Sequence, residues 1–314
     1  MADEAAVPQT GRPATRGAAG TRDADTGGRR GPDGHRVSLS WLGSIPFFAY
    51  VVAFLLLPTA IVALQAFQDR QGGFTLSNLS TLGQDYVVKA FLNSIELSAV
   101  TALIGAAIGA VLAYVIATGR PDGLLRRLAT AACGVLAQFG GVTLAFAFIA
   151  TIGGEGLITQ FFREKAGVVL DTGWLFDMPG LMLVYTYFQI PLMVLVFLPA
   201  LDGIRPQWRE ATSSLGGTTW DYWRHVAFPL LTPPFLGATL LLFANAFSAY
   251  ATAAALVSQG GIIVPLQIRT ALTSEVVLGQ ENVGKALALG MIVVVAIVMS
   301  LYAWFQRRSA RWLR

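Results

Sequence analysis

Residues 210–229, EATSSLGGTTWDYWRHVAFP, are a polar, charged insert between two long apolar runs. The chain around them is 54% hydrophobic and 13% charged over 314 residues, with mean hydropathy +0.60. A soluble domain of this size carries about a quarter charged residues. The apolar excess is gathered into runs. Uncharged stretches lie between Arg36 and Asp69, Glu96 and Arg120, Arg127 and Glu155, Asp177 and Asp202, and Lys285 and Arg307. Each holds the roughly 20 apolar residues a helix needs to cross about 30 Å of hydrocarbon. A sixth stretch, His225 to Arg269, is too long for one span. Pro229, Pro233 and Pro234 are expected to trim its start, and Gly260, Gly261 and Pro265 its end. The sequence therefore describes an all-α polytopic membrane protein with six transmembrane helices, near residues 45–67, 93–117, 129–152, 180–201, 235–257 and 285–306.

Alternating loops sort the 22 Lys and Arg residues into 16 on one side and 6 on the other. The rich side holds the N-terminal tail, the short loop with Arg120, Arg126 and Arg127, the loop with Arg205, Arg209 and Arg224, and the C-terminal end. Cations mark the cytoplasmic side, so both termini are expected there. The sequence pI near 9.4 then follows from topology and is no argument for nucleic-acid binding. Residues 1–40 are expected to be a disordered basic cytoplasmic tail, since their Gly, Ala, Arg, Asp and Thr cannot bury a core. Residues 41–90 give the first span and an outer loop, 91–306 a core of five spans with an inside loop at 203–234, and 307–314 a basic cytoplasmic end. The first apolar run is too long, and begins too late, for a cleaved signal peptide, and reads as a retained anchor. LITQFF, in the outer loop 153–179, reads as an amphipathic piece at the interface.

Catalysis inside the membrane needs ionisable groups at depth, and the predicted spans offer few. Glu96 sits near the start of the second span, where the helix dipole favours an acid. His35 and His225 fall in the tail and in the 203–234 loop, and Cys133 is the only cysteine. Haem ligation, di-metal carboxylate sites, thiolate clusters and His-based nucleophilic catalysis lack their residues. No GxxxxGK[ST] phosphate loop occurs, so any nucleotide hydrolysis would belong to another chain. Gly105 and Gly109 form a small-xxx-small pair in AVTALIGAAIGAVLAYVIATG, residues 99–119, and predict close helix packing.

Within the insert, Glu210 to about Leu215 reads as a short helix broken by Gly216-Gly217. Thr218 or Thr219 can cap a second helix with Trp220, Tyr222, Trp223 and Val226 on its apolar side, ended by Pro229 before the next span. Two short helices at an angle make a knob that either docks on a partner or floats among headgroups.

The insert resembles the EAA loop of permease subunits of binding-protein-dependent ABC importers. That pattern is Glu-Ala-Ala, three residues, Gly, nine residues, Ile, one residue, Leu-Pro. Here Glu210-Ala211-Thr212 precede Gly216 at the required spacing, and Val226, Phe228 and Pro229 follow. Thr212, Val226 and Phe228 depart from the strict letters but keep small size or apolarity. The wider resemblance covers about residues 91–306, beginning at Asn93-Ser94; FSAYATAAAL and GKALALGMIVV look most like the spermidine/putrescine, iron or aminophosphonate branch.

The resemblance implies the type I importer permease (MetI-like) fold, in a bacterial inner membrane. It implies a non-catalytic subunit that works with two ABC ATPase subunits, a second permease subunit, identical or sister, and an extracytoplasmic solute-binding protein. ATP and Mg would be bound by the ATPase partner, with no cofactor or metal in this chain and no nucleic acid. Glu210, Ala211, Gly216, Trp220, Trp223 and Pro229 would couple to the ATPase. The translocation path is expected at polar side chains in the spans. Asn245, Ser248 and Thr252 share one face of the fifth, with Tyr250 nearby, and Tyr185 and Gln189 stack in the fourth beside a kink expected at Pro191. The plainer reading is that these groups hydrogen-bond between helices. A secondary transporter would need intramembrane charge or broken helices in both halves, and an intramembrane enzyme needs His or acids at depth; neither pattern is evident in the sequence.

Overall fold

A computed structural model describes residues 40–69, 71–120, 122–257, 262–273 and 281–310. The tail 1–39, for which disorder is expected, and the end 311–314 lie outside the described residues. Regular structure among those described is helical, apart from an isolated bridge between Gln68 and Phe74. In chain order the helices are α1 (Ser40–Val51), α2 (Leu57–Gln65), α3 (Ser77–Ser80), α4 (Asp85–Ala117), α5 (Leu124–Gln138), α6 (Val142–Ile152) and α7 (Leu157–Ala166). They continue with α8 (Met178–Asp202), α9 (Pro206–Ser214), α10 (Thr219–Tyr222), α11 (Phe228–Ser248), α12 (Ala251–Leu256), α13 (Val264–Thr273) and α14 (Glu281–Ala310). The chain divides into two units, Met1–Tyr50 and Val51–Arg314. In the described part of the first, the Phe47 and Phe48 rings meet edge to face at 5.7 Å.

Six helical stretches are long and apolar enough to cross a bilayer: Ile45–Gln65, Asp85–Ala117, Val142–Ala166, Met178–Asp202, Thr219–Ser248 and Val283–Trp304. The count matches the sequence, but the details differ in three places. The second crossing starts at Asp85, two turns before the expected 93, so Glu96 is no helix-start acid. Asn93 and Ser94 do not open that span either. They tie it to the chain entering α13: Asn93 Nδ2 donates to Ile262 O at 3.0 Å, and Ser94 Oγ accepts from Val264 N at 2.9 Å.

The third crossing is broken. The apolar stretch Val142–Ala166 is itself two helices, α6 and α7, parted by a turn at 153–156. The partner along α8 decides which pieces cross together. Arg126 at the start of α5 pairs with Asp202 at the end of α8. Leu144 and Ala145 of α6 pack with Leu181, Val184 and Tyr185 near its beginning. Residues 124–152 thus run the length of α8 in the opposite direction, as α5 and α6. The amphipathic α7, with Arg163, Glu164 and Lys165 in its second half, fits the interfacial piece read from LITQFF.

The fifth crossing was expected to begin after Pro234. Instead Pro229 occupies the first turn of α11, and Pro233 and Pro234 lie inside it. A single π-turn, Trp223–Ala227, joins α10 to α11, with Phe228 N–H reaching back to Trp223 O. The wider turn lies immediately before Pro229, whose missing N–H would otherwise interrupt the α-helical ladder. Proline within a membrane helix is tolerated where neighbours and side chains re-satisfy the backbone. This crossing ends early, at Ala249, rather than at 257.

The core is built on α4 and α8. A methyl added to Gly105 would stand 2.6 Å from Gln189 Cβ, and one on Gly109 2.5 Å from Met193 Cβ, so the two backbones touch where the glycine pair is. The matched order also shows α4 and α8 running parallel, with Glu96 level with the first turn of α8. One apolar cluster joins α6, α12 and the first half of α8, and another joins α4, α5, α11 and its second half.

Candidate functional site

The insert folds as a bent helix pair. Pro206 at the first turn opens α9, which carries Glu210 and Ala211 on exposed backbone turns. Gly216 then turns left-handed at φ 81°, a conformation that L side chains rarely adopt. Gly216 N and Gly217 N close on Ser213 O and Thr212 O at 3.0 and 2.9 Å. A methyl on Gly217 would meet Thr212 Cγ2 at 2.8 Å, so the second glycine allows the close return. Thr218 caps α10 reciprocally: its Oγ1 accepts from Asp221 N, and Asp221 Oδ2 accepts from Thr218 N at 2.9 Å.

The aromatic residues divide. Tyr222 is buried, and Trp223 stacks edge-on against Tyr114 of α4 with centroids 5.5 Å apart, fixing the bend to the bundle. Trp220 is 64% exposed and Leu215 89%, so Trp220 does not share the inner face expected for it. Pro229 does not end the second helix, as shown above. The pair is therefore one free helix, α9, set against the first turns of a helix that continues to Ser248.

The polar residues of the spans also separate into two groups. Tyr185 and Gln189 are fully buried in the bundle. Tyr185 OH donates to Ala249 O, and Gln189 Nε2 donates to Leu242 O at 2.8 Å. They serve as hydrogen-bond ties between α8 and α11, the plainer of the two readings, and neither is among the residues around the cavity at Asn245 and Thr252. Ser248 donates to Ala244 O within its own helix at 3.0 Å and does not line the cavity either. The predicted common face of Asn245, Ser248 and Thr252 fails because the helix breaks at Ala249, whose ψ of 107° is extended.

That break faces another. Between α5 and α6, Gly141 adopts φ 85° and ψ −150°, a combination open essentially to glycine alone. The fifth crossing supplies a partner to the third, since Gly141 N donates to Thr252 Oγ1 at 2.8 Å, while Ala249 O accepts from the Tyr185 hydroxyl of α8. Between them lies a cavity of about 250 Å³ lined by Gln138, Gly140, Phe188, Asn245, Tyr250 and Thr252 among others. Phe188 is the eleventh residue of α8, which sets the cavity about 15 Å along that crossing. Asn245, Tyr250 and Thr252 were expected at a path; Gln138, Gly140 and Gly141 were not. Their signal was Gln-Phe-Gly-Gly inside an apolar run, the mark of an interrupted membrane helix.

A bundle with these crossings and this bent insert is that of ABC importer permeases. A solved bacterial ABC transporter described as involved in the import of the acidic polysaccharide alginate superposes with TM-score 0.67 at 17% identity, over 87% of this chain and 95% of that one. By sequence, the family of binding-protein-dependent transport system inner membrane components matches residues 142–314, more than half of the chain, and the chain belongs to it. Among curated relatives, the ferric transport system permease protein FbpB of Actinobacillus pleuropneumoniae is 24% identical over 82% of this chain and 36% of its own length. A probable sulfate transport system permease protein of Marchantia polymorpha is 32% identical over 35% of this chain and 39% of its own. The matched part of this chain spans less than two-fifths of the length of both relatives.

Proposed function

We propose that the chain is a permease subunit of an ATP-driven importer, carrying a small polar solute through the membrane. The observation that carries this reading is the bent insert: an exposed helix with Glu210 at its centre, a left-handed Gly216, and a capped return continuous with a crossing helix. The arginine-rich side is cytoplasmic, a reading the cation distribution supports, and the membrane is the bacterial inner membrane. There the exposed Glu210, Ala211, Leu215 and Trp220 meet a separate ATPase that holds ATP and Mg, while Trp223 passes its movement to the bundle. Two ATPase subunits, a second permease subunit and an extracytoplasmic solute-binding protein complete the assembly. The chain itself performs no chemistry.

Coupling of this kind requires that the ATPase in one nucleotide state fit the insert better in one permease conformation than in the other. The broken helices also suit a secondary transporter, but the family and the insert favour ATP coupling. The solute path runs by Asn245, Tyr250 and Thr252. Relatives' names span ferric ion and sulfate, and the branch resemblance leaves polyamine, iron chelate and phosphonate as candidates. In proteoliposomes holding the full assembly, Glu210→Ala and Gly216→Pro are expected to abolish ATP-driven uptake with membrane insertion intact. Normal coupled uptake by both variants overturns the reading.

A further inference from the structure

Gln138 and Asn245 are exposed amides well inside an apolar bundle, and their side chains have no hydrogen-bond partner among the described residues. Exposed Tyr250 stands with them. Unpaired amides at this depth cannot face hydrocarbon without a cost of several kcal/mol each, so they face water or a passing solute.

What the cavity lacks is as informative as what it holds. Its lining contains no Asp, Glu, Lys, Arg or His. A polycation would shed its water there with no counter-charge to meet, a loss that neutral dipoles do not make good. A dianion is favoured by convergent backbone N–H groups at a helix start. The Gly141 N–H at the start of α6 is already taken by the Thr252 hydroxyl. Carboxamides and a phenol do match hydroxyl groups, which both donate and accept. Phe188 and Tyr250 add aromatic surface suited to the C–H faces of a ring or chain.

Resting on the permease reading above, we propose that the cavity between the two helix breaks is a solute-contacting site for a neutral, hydroxyl-rich solute of sugar or polyol type. Gln138 and Asn245 bond its hydroxyls, and Tyr250 and Phe188 cover its apolar face. On this proposal polyamines and free oxyanions bind there more weakly than a neutral polyol.

The test places a reporter thiol at Ala251, an exposed liner that makes no side-chain hydrogen bond, in the full chain with Cys133→Ala, assembled with its partners in nanodiscs. Labelling by a membrane-impermeant maleimide reads water access, and Val111→Cys on the exposed apolar side of α4 serves as the unlabelled control. Glucose, mannitol and trehalose, spermidine and sulfate are then tried as protectants. Labelling at 251, slowed at least about tenfold by a neutral probe and not by spermidine or sulfate, is the expected result. Asn245→Leu should raise the half-protecting concentration about tenfold, and Gln138→Leu similarly. Protection by spermidine or sulfate, or by none of the probes, overturns the solute class while leaving the path in place. No labelling at 251 overturns the path itself, whereas the Glu210 and Gly216 variants test coupling independently.

Discussion

Two kinds of interruption occur in the crossings, and they fall in opposite places. Helix α8 carries Pro191 and Pro199 internally, and α11 carries Pro233 and Pro234, yet both run unbroken. The third crossing breaks at 139–141 and the fifth at Ala249–Tyr250, where no proline stands. Proline removes one donor, and a packed neighbour absorbs that locally. A full break frees several backbone groups at once, and it persists where the partners are supplied from across the bundle. Here Thr252, just past one break, supplies Gly141 at the other, and Tyr185 of the unbroken α8 supplies Ala249. Partnership across the bundle decides where these helices stop.

Removing the conformation that only glycine adopts is the harshest way to break this pairing. Gly141→Ala has room for its methyl, 3.7 Å from Ala251 Cβ, but not the backbone angles. It should cost about 2 kcal/mol, read as a lower midpoint of thermal denaturation in detergent; an unchanged midpoint would show that the break does not depend on this residue. Thr252→Val keeps the shape and removes only the acceptor for Gly141 N, with an expected loss of about 1.5 kcal/mol in the same assay. Pro234→Ala should move stability by less than about 1 kcal/mol in either direction. A large stabilisation there would mean that the prolines strain α11 after all, and would weaken the contrast.

The sequence carried the six crossings because run length and charge spacing suffice for that, and Gly105 and Gly109 announced their contact because nothing else brings backbones so near. The bend at Gly216 and the cap at Thr218 were legible because both are local. What escaped was decided at a distance. Pro229, Pro233 and Pro234 read as a helix start from local propensity, but the π-turn and packing against α4 and α8 carry the helix through them. Asn245, Ser248 and Thr252 obeyed helical periodicity on paper. The period stops at Ala249, because its carbonyl is claimed by Tyr185, a residue 64 positions away. Tyr185 and Gln189 allowed two readings, path or inter-helix hydrogen bond, and only the folded bundle shows the ties they make to Ala249 and Leu242.

From Thr219 to Ser248 the helical path is continuous over 30 residues. At helical rise that is an arm about 45 Å long, and a tilt of about 10° at one end sweeps the other through about 8 Å. The near end is the capped turn beside Gly216, and the far end, with Asn245 and Ala249, borders the cavity. A small tilt at the exposed turn is thus several ångströms of travel at the cavity's edge.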